Sequence, residues 1–408
     1  MQNELAGIID CIETVRWAQQ PNILWVRMGT SQGLWGCGET YYLPRAVEEV
    51  IHEMMAPMLL GRSAGNIESH WNALFSSANF YGYAGAEMRA LSAVDMALWD
   101  LAGKALGVPV WALLGGTSRA SIPVYNTCVS AGRYRDADAF LGQPGQLARD
   151  LLAQGIRAMK VWPWDQFSPQ LAPPSTPGPA GHSAHGPVGH YLTGAQLEQG
   201  LRIVEEIREA VGLEMEILIE GHGRWDLNTG IRIVHELEPF KPLWVEDIIQ
   251  PNTPGDLAQL AQATQVPQAV SERLISRFPY REVMERRAVR VVMVDVGWTG
   301  GISEAWKIAT LANAFQLPIS PHDCTGPIVQ FANLQLCAAA DNAMLLETVR
   351  GFYDQGWYSI PLTQPFIVQH GQAPIPYEPG IGTALRDDFL QRADVAIRRV
   401  RHGVDVNS

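Results

Sequence analysis

Three glutamates recur at a fixed interval in the second half of the chain. Glu220 ends the run EMEILIE, Glu246 follows PLWV twenty-six residues later, and Glu272 follows QAVS after twenty-six more. That interval is about one strand, one helix and two loops, so three carboxylates stand in phase at the ends of successive βα units. An all-carboxylate oxygen set suits a hard divalent cation such as Mg²⁺, one per site. Two residues after Glu220 comes His222. On a strand, residues two apart share a side, so a carboxylate and an imidazole emerge together. Asp295 ends VRVVMVD and His322 ends QLPISPH. Neighbouring strands lie about 5 Å apart, which lets the two side chains hydrogen-bond. An aspartate that orients and charges a histidine makes a base near neutral pH. One strand-end glutamate or one histidine alone fits a surface or structural role; their recurrence in phase points to a site.

The elements that must position these residues begin near Ile122. Short apolar runs alternate there with helical stretches: IPVYNTC, IRAMKVW, EMEILIE, PLWVED, QAVSER, VRVVMVD, QLPISPH and AMLLET. From the third run to the last, their ends recur every 23 to 27 residues. Helical spacing falls between them, as in residues 196–210 and 302–315. Near-continuous apolar strands alternating with helices predict a parallel sheet, and eight of them predict a closed (β/α)₈ barrel with its site at the carboxyl ends of the strands. Every residue singled out above stands at such an end. Arg224 and Trp298 also lie near strand ends and are candidate substrate contacts.

The first part of the chain reads as an α+β unit. CIETVRW and ILWVRMG read as strands, and TSQGLWGCGET as a glycine-punctuated turn into a third. Helical spacing follows over 45–60, with Val47, Val50, Ile51, Met54 and Met55 on one side, and over 86–107, stopped by Gly107-Val-Pro. After Thr348, short Gly-, Pro- and aromatic-rich segments suggest a return to the first unit. The expected division is a capping domain over 1–118, a barrel over 119–350 and a returning segment over 351–408. One connector is irregular: residues 164–191 are rich in Pro and Gly and carry His182, His185 and His190. A solvated lid or linker is the expectation there, with a histidine metal site as the alternative.

Bulk composition narrows the class. A net charge of −12, with no long Lys/Arg cluster, argues against a nucleic-acid partner. Hydrophobic residues make up 47% of the 408, enough for a large core. The five cysteines are widely spaced with no CxxC, as in reduced thiols. No signal peptide and no run long enough to span a bilayer is evident. The expectation is a cytoplasmic protein without a membrane partner, acting on a small molecule and associating into homo-oligomers.

At this point the motifs resemble a family. SAVDMALWDLAGKALGVPVWALLGG, the three acidic strand ends, VDVGWTGGISEA, ISPHDCTGP and LLE occur in order over nearly the whole length. Together they resemble the enolase superfamily, in its mandelate racemase subgroup, and the run EGHGRW with SERLISRF is similar to the acid-sugar dehydratases of the galactonate dehydratase kind. The resemblance implies an enolase-like modified barrel with a capping domain, and a carboxylate substrate whose α-proton is removed to give a Mg²⁺-stabilised enediolate. It implies Glu220, Glu246 and Glu272 as metal ligands and His322 with Asp295 as the base. It also implies Lys160 neutralising the substrate carboxylate and Glu347 hydrogen-bonding it. The family's second lysine, two residues after the first, is Trp162 here, an indole without a basic nitrogen. Two-base racemisation through that position is therefore not expected; Trp162 walls the pocket, stacks on substrate or fills core.

His222 offers what the missing lysine does not. The third and seventh strands of an eight-stranded barrel face each other. His322 could remove a proton on one side while His222 protonates a leaving hydroxyl on the other. The alternative is that His222 only hydrogen-bonds a hydroxyl or holds a metal ligand. The expected activity is dehydration of a sugar acid (aldonate or aldarate) to a 2-keto-3-deoxy acid. A cycloisomerase or epimerase, or a catalytically idle metabolite-binding relative, stands as the alternative.

Overall fold

The computed structural model describes residues 6–169 and 188–403. Its centre is a parallel sheet in which chain neighbours are also spatial neighbours. The strands are Ser121–Thr127, Ala158–Val161, Glu216–Glu220, Trp244–Glu246, Gln268–Val270 and Val291–Val292, and Leu346–Thr348 pairs back onto the first. The expected seventh strand is reduced to Ile319, bridged to Val292 on one side and Ala343 on the other. Pro318 and Pro321 flank it, and proline has no N–H for a ladder. On the side of the sixth strand the Ser320 and His322 N–H groups reach Val292 O and Val294 O, each at 3.0 Å, and on the other side Ile319 N donates to Asn342 O and Ile319 O accepts from Met344 N, both at 2.9 Å. The ring closes through that thin segment into the (β/α)₈ barrel.

Strand periodicity decides which side chains face the barrel interior. Ala158, Leu218, Trp244, Ala269, Val291 and Met293 form one inner cluster with Tyr125. Their neighbours Met159, Ile217, Ile219, Val245, Val270 and Val292 belong to the outer core shared with the helices. Two residues on from an inner position is again inner. By that parity Lys160, Glu220, Glu246 and Asp295 project into the barrel at its carboxyl end.

The cap is an antiparallel sheet of Ile9–Trp17, Gln20–Thr30 and Trp35–Tyr41, with Val395–Arg401 added beside the first strand. Helix Ala86–Leu106 lies on it so closely that a Cβ at Gly38 would come within 1.8 Å of Ala93 O. Gly107 ends this helix in the left-handed conformation glycine tolerates, at φ 68°. The helix expected over 45–60 is interrupted: Pro44–Glu49 passes into a widened π-type turn, Val50–Met55, before Ala56–Leu59. Pro57, which has no N–H to give to the preceding turn, follows directly. Helix Ile67–Asn79 was not anticipated.

Cap and barrel meet where the chain leaves the sixth strand. Trp71 Nε1 donates to Gly300 O at 2.7 Å, and Thr40 Oγ1 to Gly297 O at 2.8 Å. Asp95 accepts from Ser303 N and Oγ, and burial pushes its carboxyl up to about 7. Part of the returning segment joins the barrel instead of the cap, since Gln372–Pro374 pairs antiparallel with the first barrel strand. Among the described residues no helix is long and apolar enough to cross a membrane.

Candidate active site

Four strand ends bring a buried charge cluster together. Lys160 Nζ lies 2.9 Å from Glu347, 3.1 Å from Glu246 and 3.5 Å from Glu220. All four side chains are at most 5% exposed. Burial raises the Glu246 carboxyl well above the ordinary range, Glu220 adds to the rise, and Lys160 opposes it. Burial works against charge on Lys160, but Glu246 and Glu347 outweigh it and hold the ammonium charged. Burial would raise Glu347 too, yet Lys160 and His322 hold it down to about 2. Glu347 is further fixed by Thr127 Oγ1 and by Asp323 N at 2.9 Å. As an ionised acceptor it gives no hydrogen bond to a substrate carboxylate unless it first takes up a proton.

Glu272, beyond the fifth strand, lies 3.8 Å from Arg273, while Arg273 pairs with Asp247 at 2.8 Å. Among the described residues no three Asp, Glu, His or Cys side chains are already gathered as a metal cage. The donor chemistry nevertheless fits a hard divalent cation. Glu220, Glu246 and Glu347 face one buried ammonium, so the cluster holds more carboxylates than cations, and a divalent ion there would favour the ionised form of Glu246 that burial disfavours. Neither Asp247 nor Arg273 figured among the residues read from sequence, although the arginine of QAVSER could have signalled the pair.

Two histidines carry aspartate partners. His322 Nδ1 is 2.8 Å from Asp295 Oδ2, and Asp295 also accepts from Gly297 N at 2.7 Å. Burial disfavours the imidazolium of His322, but Glu347, Cys324 and Asp295 outweigh it and raise its pKa. Trp298 packs against this ring with centroids 5.3 Å apart, and Arg89 of the cap lies 4.1 Å over Trp298.

Opposite, His222 Nδ1 is 2.6 Å from Asp165 Oδ2. The EGHGR turn that presents it explains its own glycines. His222 adopts a left-handed backbone, φ 48°, and a Cβ on Gly223 would meet Arg273 Nη2 at 2.5 Å. Burial works against the charged ring, but Asp165 and Glu220 raise its pKa to about 9. Trp162 lies edge-on to His222, centroids 5.8 Å apart, and also packs against Phe140 at 4.8 Å. Arg224 is drawn to Asp165 at 3.2 Å and to Ser168 at 2.9 Å. Of the histidine cluster in the long connector, His182 and His185 lie outside the described residues, and His190 pairs with Asp226 at 3.0 Å.

Known proteins are similar to this chain over most of its length. The N-terminal domain of mandelate racemase and muconate lactonizing enzyme matches residues 11–115, and the enolase C-terminal domain-like family matches residues 144–389. D-galactonate dehydratase of Pectobacterium atrosepticum is 30% identical over 376 residues, covering 91% of this chain and 90% of that protein. D-xylonate dehydratase of Haloferax volcanii is 30% identical over 387 residues, covering 95% and 88%. The crystal structure of an enolase of the mandelate racemase subgroup from Agrobacterium tumefaciens has a TM-score of 0.85 at 36% identity, covering 97% of this chain and 99% of that one. With both family domains matched in order over a cap and a barrel, this chain belongs to the mandelate racemase and muconate lactonizing enzyme family of the enolase superfamily.

Proposed function

We propose that this protein is a dehydratase of a sugar acid, converting a 2,3-dihydroxy carboxylate to a 2-keto-3-deoxy acid. The observation that carries this proposal is the pair of His–Asp couples on opposite sides of the barrel, with Lys160 and the carboxylate cluster between them. His322, oriented by Asp295, takes the proton from C2. The electron pair of the broken C–H bond passes first into the substrate carboxylate as an enediolate, and returns to form the C2–C3 double bond as the C3–O bond breaks. His222 gives its proton to the departing hydroxyl, which leaves as water, and the resulting enol takes a proton at C3 as it becomes the ketone.

Lys160 offsets the charge that gathers on the substrate carboxylate, and Glu347 holds Lys160 and Asp323 N in place. A divalent cation such as Mg²⁺, held by Glu220, Glu246 and Glu272, would supply positive charge beside that carboxylate and make the neighbouring proton easier to remove. Trp162 and Trp298 are then the side walls next to the two histidines, with Arg224 behind His222. The names of the D-galactonate and D-xylonate dehydratase relatives support the reaction class. An indole at position 162 speaks against two-base epimerisation.

The test is a stereochemically complete library of aldonates and aldarates incubated with the protein and Mg²⁺, with 2-keto-3-deoxy acids as the product detected. Turnover of one or a few members is expected. Tight binding of a member with no turnover of any would replace the enzyme proposal with that of a metabolite-binding protein.

A further inference from the structure

Asp165 belongs to a short 3-10 turn, Asp165–Phe167, immediately after the second barrel strand and its WPW exit. Nothing in its local sequence marks it, since it opens the Pro- and Gly-rich connector. Folding places its Oδ2 atom 2.6 Å from His222 Nδ1, bridging from the second βα connection to the third. The same oxygen lies 3.2 Å from Arg224 Nε, and Ser168 of the same segment accepts from Arg224 Nη1 at 2.9 Å. On its other side the histidine is held by its backbone, whose N–H donates to Glu220 Oε1 at 2.7 Å. The imidazole is thus tied at its ring and at its main chain, with Trp162 edge-on beside it.

We infer that Asp165 is a positioning residue for proton delivery by His222, forming a second His–Asp couple that answers Asp295–His322 across the barrel. This rests on His222 being the acid of the proposed dehydration. A carboxylate at Nδ1 keeps a proton on that nitrogen and fixes the ring plane, so that the proton handed to the leaving hydroxyl is the one on Nε2. Arg224 faces the carboxylate in turn, itself held by Ser168, whose Oγ also donates to the Asp165 main-chain carbonyl at 2.7 Å, so that the position of Asp165 does not depend on the histidine alone. The competing role is purely architectural, with Asp165 serving to anchor Arg224 and the turn.

Leaving-group chemistry separates these roles. A 3-chloro-3-deoxy analogue of the substrate expels chloride, which departs as an anion and needs no proton. Asp165→Asn, an isosteric change, and Asp165→Ala should each lower kcat for water loss by about 10²-fold, the lower end of general acid catalysis. Chloride release and exchange of the C2 proton with D₂O should stay within about 3-fold of wild type, since neither uses the acid. Equal losses in all three reactions would make Asp165 architectural and overturn the inference.

His222→Asn run in parallel distinguishes the two levels. If it leaves water loss intact, the acid assignment itself fails. If it blocks water loss while both Asp165 variants do not, the positioning role alone fails. A measurement independent of turnover is ¹⁵N-histidine NMR, in which wild-type His222 should carry a proton on Nδ1. A bare Nδ1 in the wild-type protein would likewise overturn the inference.

Discussion

The two His–Asp couples differ in how they are built. Asp295 and His322 sit at or just past adjacent strand ends, with side chains 0% and 8% exposed, and Gly297 N and the barrel ladder fix both. Asp165 and His222 stand on a short turn and a left-handed backbone position, with side chains 13% and 25% exposed. The proposed base is carried by the barrel itself; the proposed acid is carried by loops laid over it. Removing a proton from carbon requires a base held rigidly where the C–H bond will lie. Protonating a departing hydroxyl requires reach toward a group whose position varies with the sugar. On the proposed assignment the barrel keeps the common step on its strands and leaves the variable step to the loops above them.

Breaking the strand-borne couple should have the largest effect. His322→Asn is expected to abolish both C2-proton exchange in D₂O, followed by ¹H NMR, and dehydration, each by at least the ~10² to 10⁴-fold attributed to general acid–base catalysis. Normal exchange in that variant would move the base elsewhere, with Lys160 the first residue to test.

Removing the metal should be nearly as damaging, because proton removal at C2 relies on the positive charge the cation would supply beside the carboxylate. Chelator is expected to stop turnover and added Mg²⁺ to restore it. Glu246→Gln should weaken Mg²⁺ binding in a calorimetric titration, since a ligand charge is lost. Full activity after exhaustive chelation would defeat the metal assignment.

His222→Asn should sharpen the contrast. Water loss falls by about 10²-fold or more while C2-proton exchange persists, because the acid enters only after the C–H bond breaks. Dehydration at the wild-type rate would take His222 out of the chemistry.

The smallest expected effect is on stability, read by denaturant unfolding. Asp295→Ala leaves Gly297 N and the His322 ring without their buried acceptor and should cost about 1–3 kcal/mol. Asp165→Asn, more exposed and isosteric, should cost less than about 1 kcal/mol. Equal costs would erase the distinction between a rigid and a loop-borne couple.

Much of the site could be read from residue order alone. Glu220, Glu246 and Asp295 each share parity with an inner apolar residue two positions earlier, so the pattern that makes the strands also aims the acids. Ile319 was harder to place, because the prolines around it leave a single bridged residue where the pattern of QLPISPH suggested a strand. Helix Ile67–Asn79 escaped notice, with its buried residues His70, Trp71, Leu74 and Ala78 including a polar one. Asp165, Asp247 and Arg273 were missed for a common reason. Each acquires meaning from a partner in another βα unit or the following one, and neither local propensity nor strand parity reports such pairs.

By itself the sequence determined the alternation of strands and helices, the inward side of each strand and the identity of the acids and histidines at their ends. These follow from short-range rules: side chains alternate along a strand, and a strand, a helix and two loops consume a nearly constant length of chain. Tertiary structure alone decided which charges meet. It set Lys160 among Glu220, Glu246 and Glu347, turned Glu347 into an ionised acceptor, and brought Asp165 to His222 across 57 residues of chain. The physical reason is that a charge's protonation and partners depend on distances of a few ångströms in a buried, low-dielectric interior. Closure of the ring sets those distances, and no stretch of chain encodes them locally.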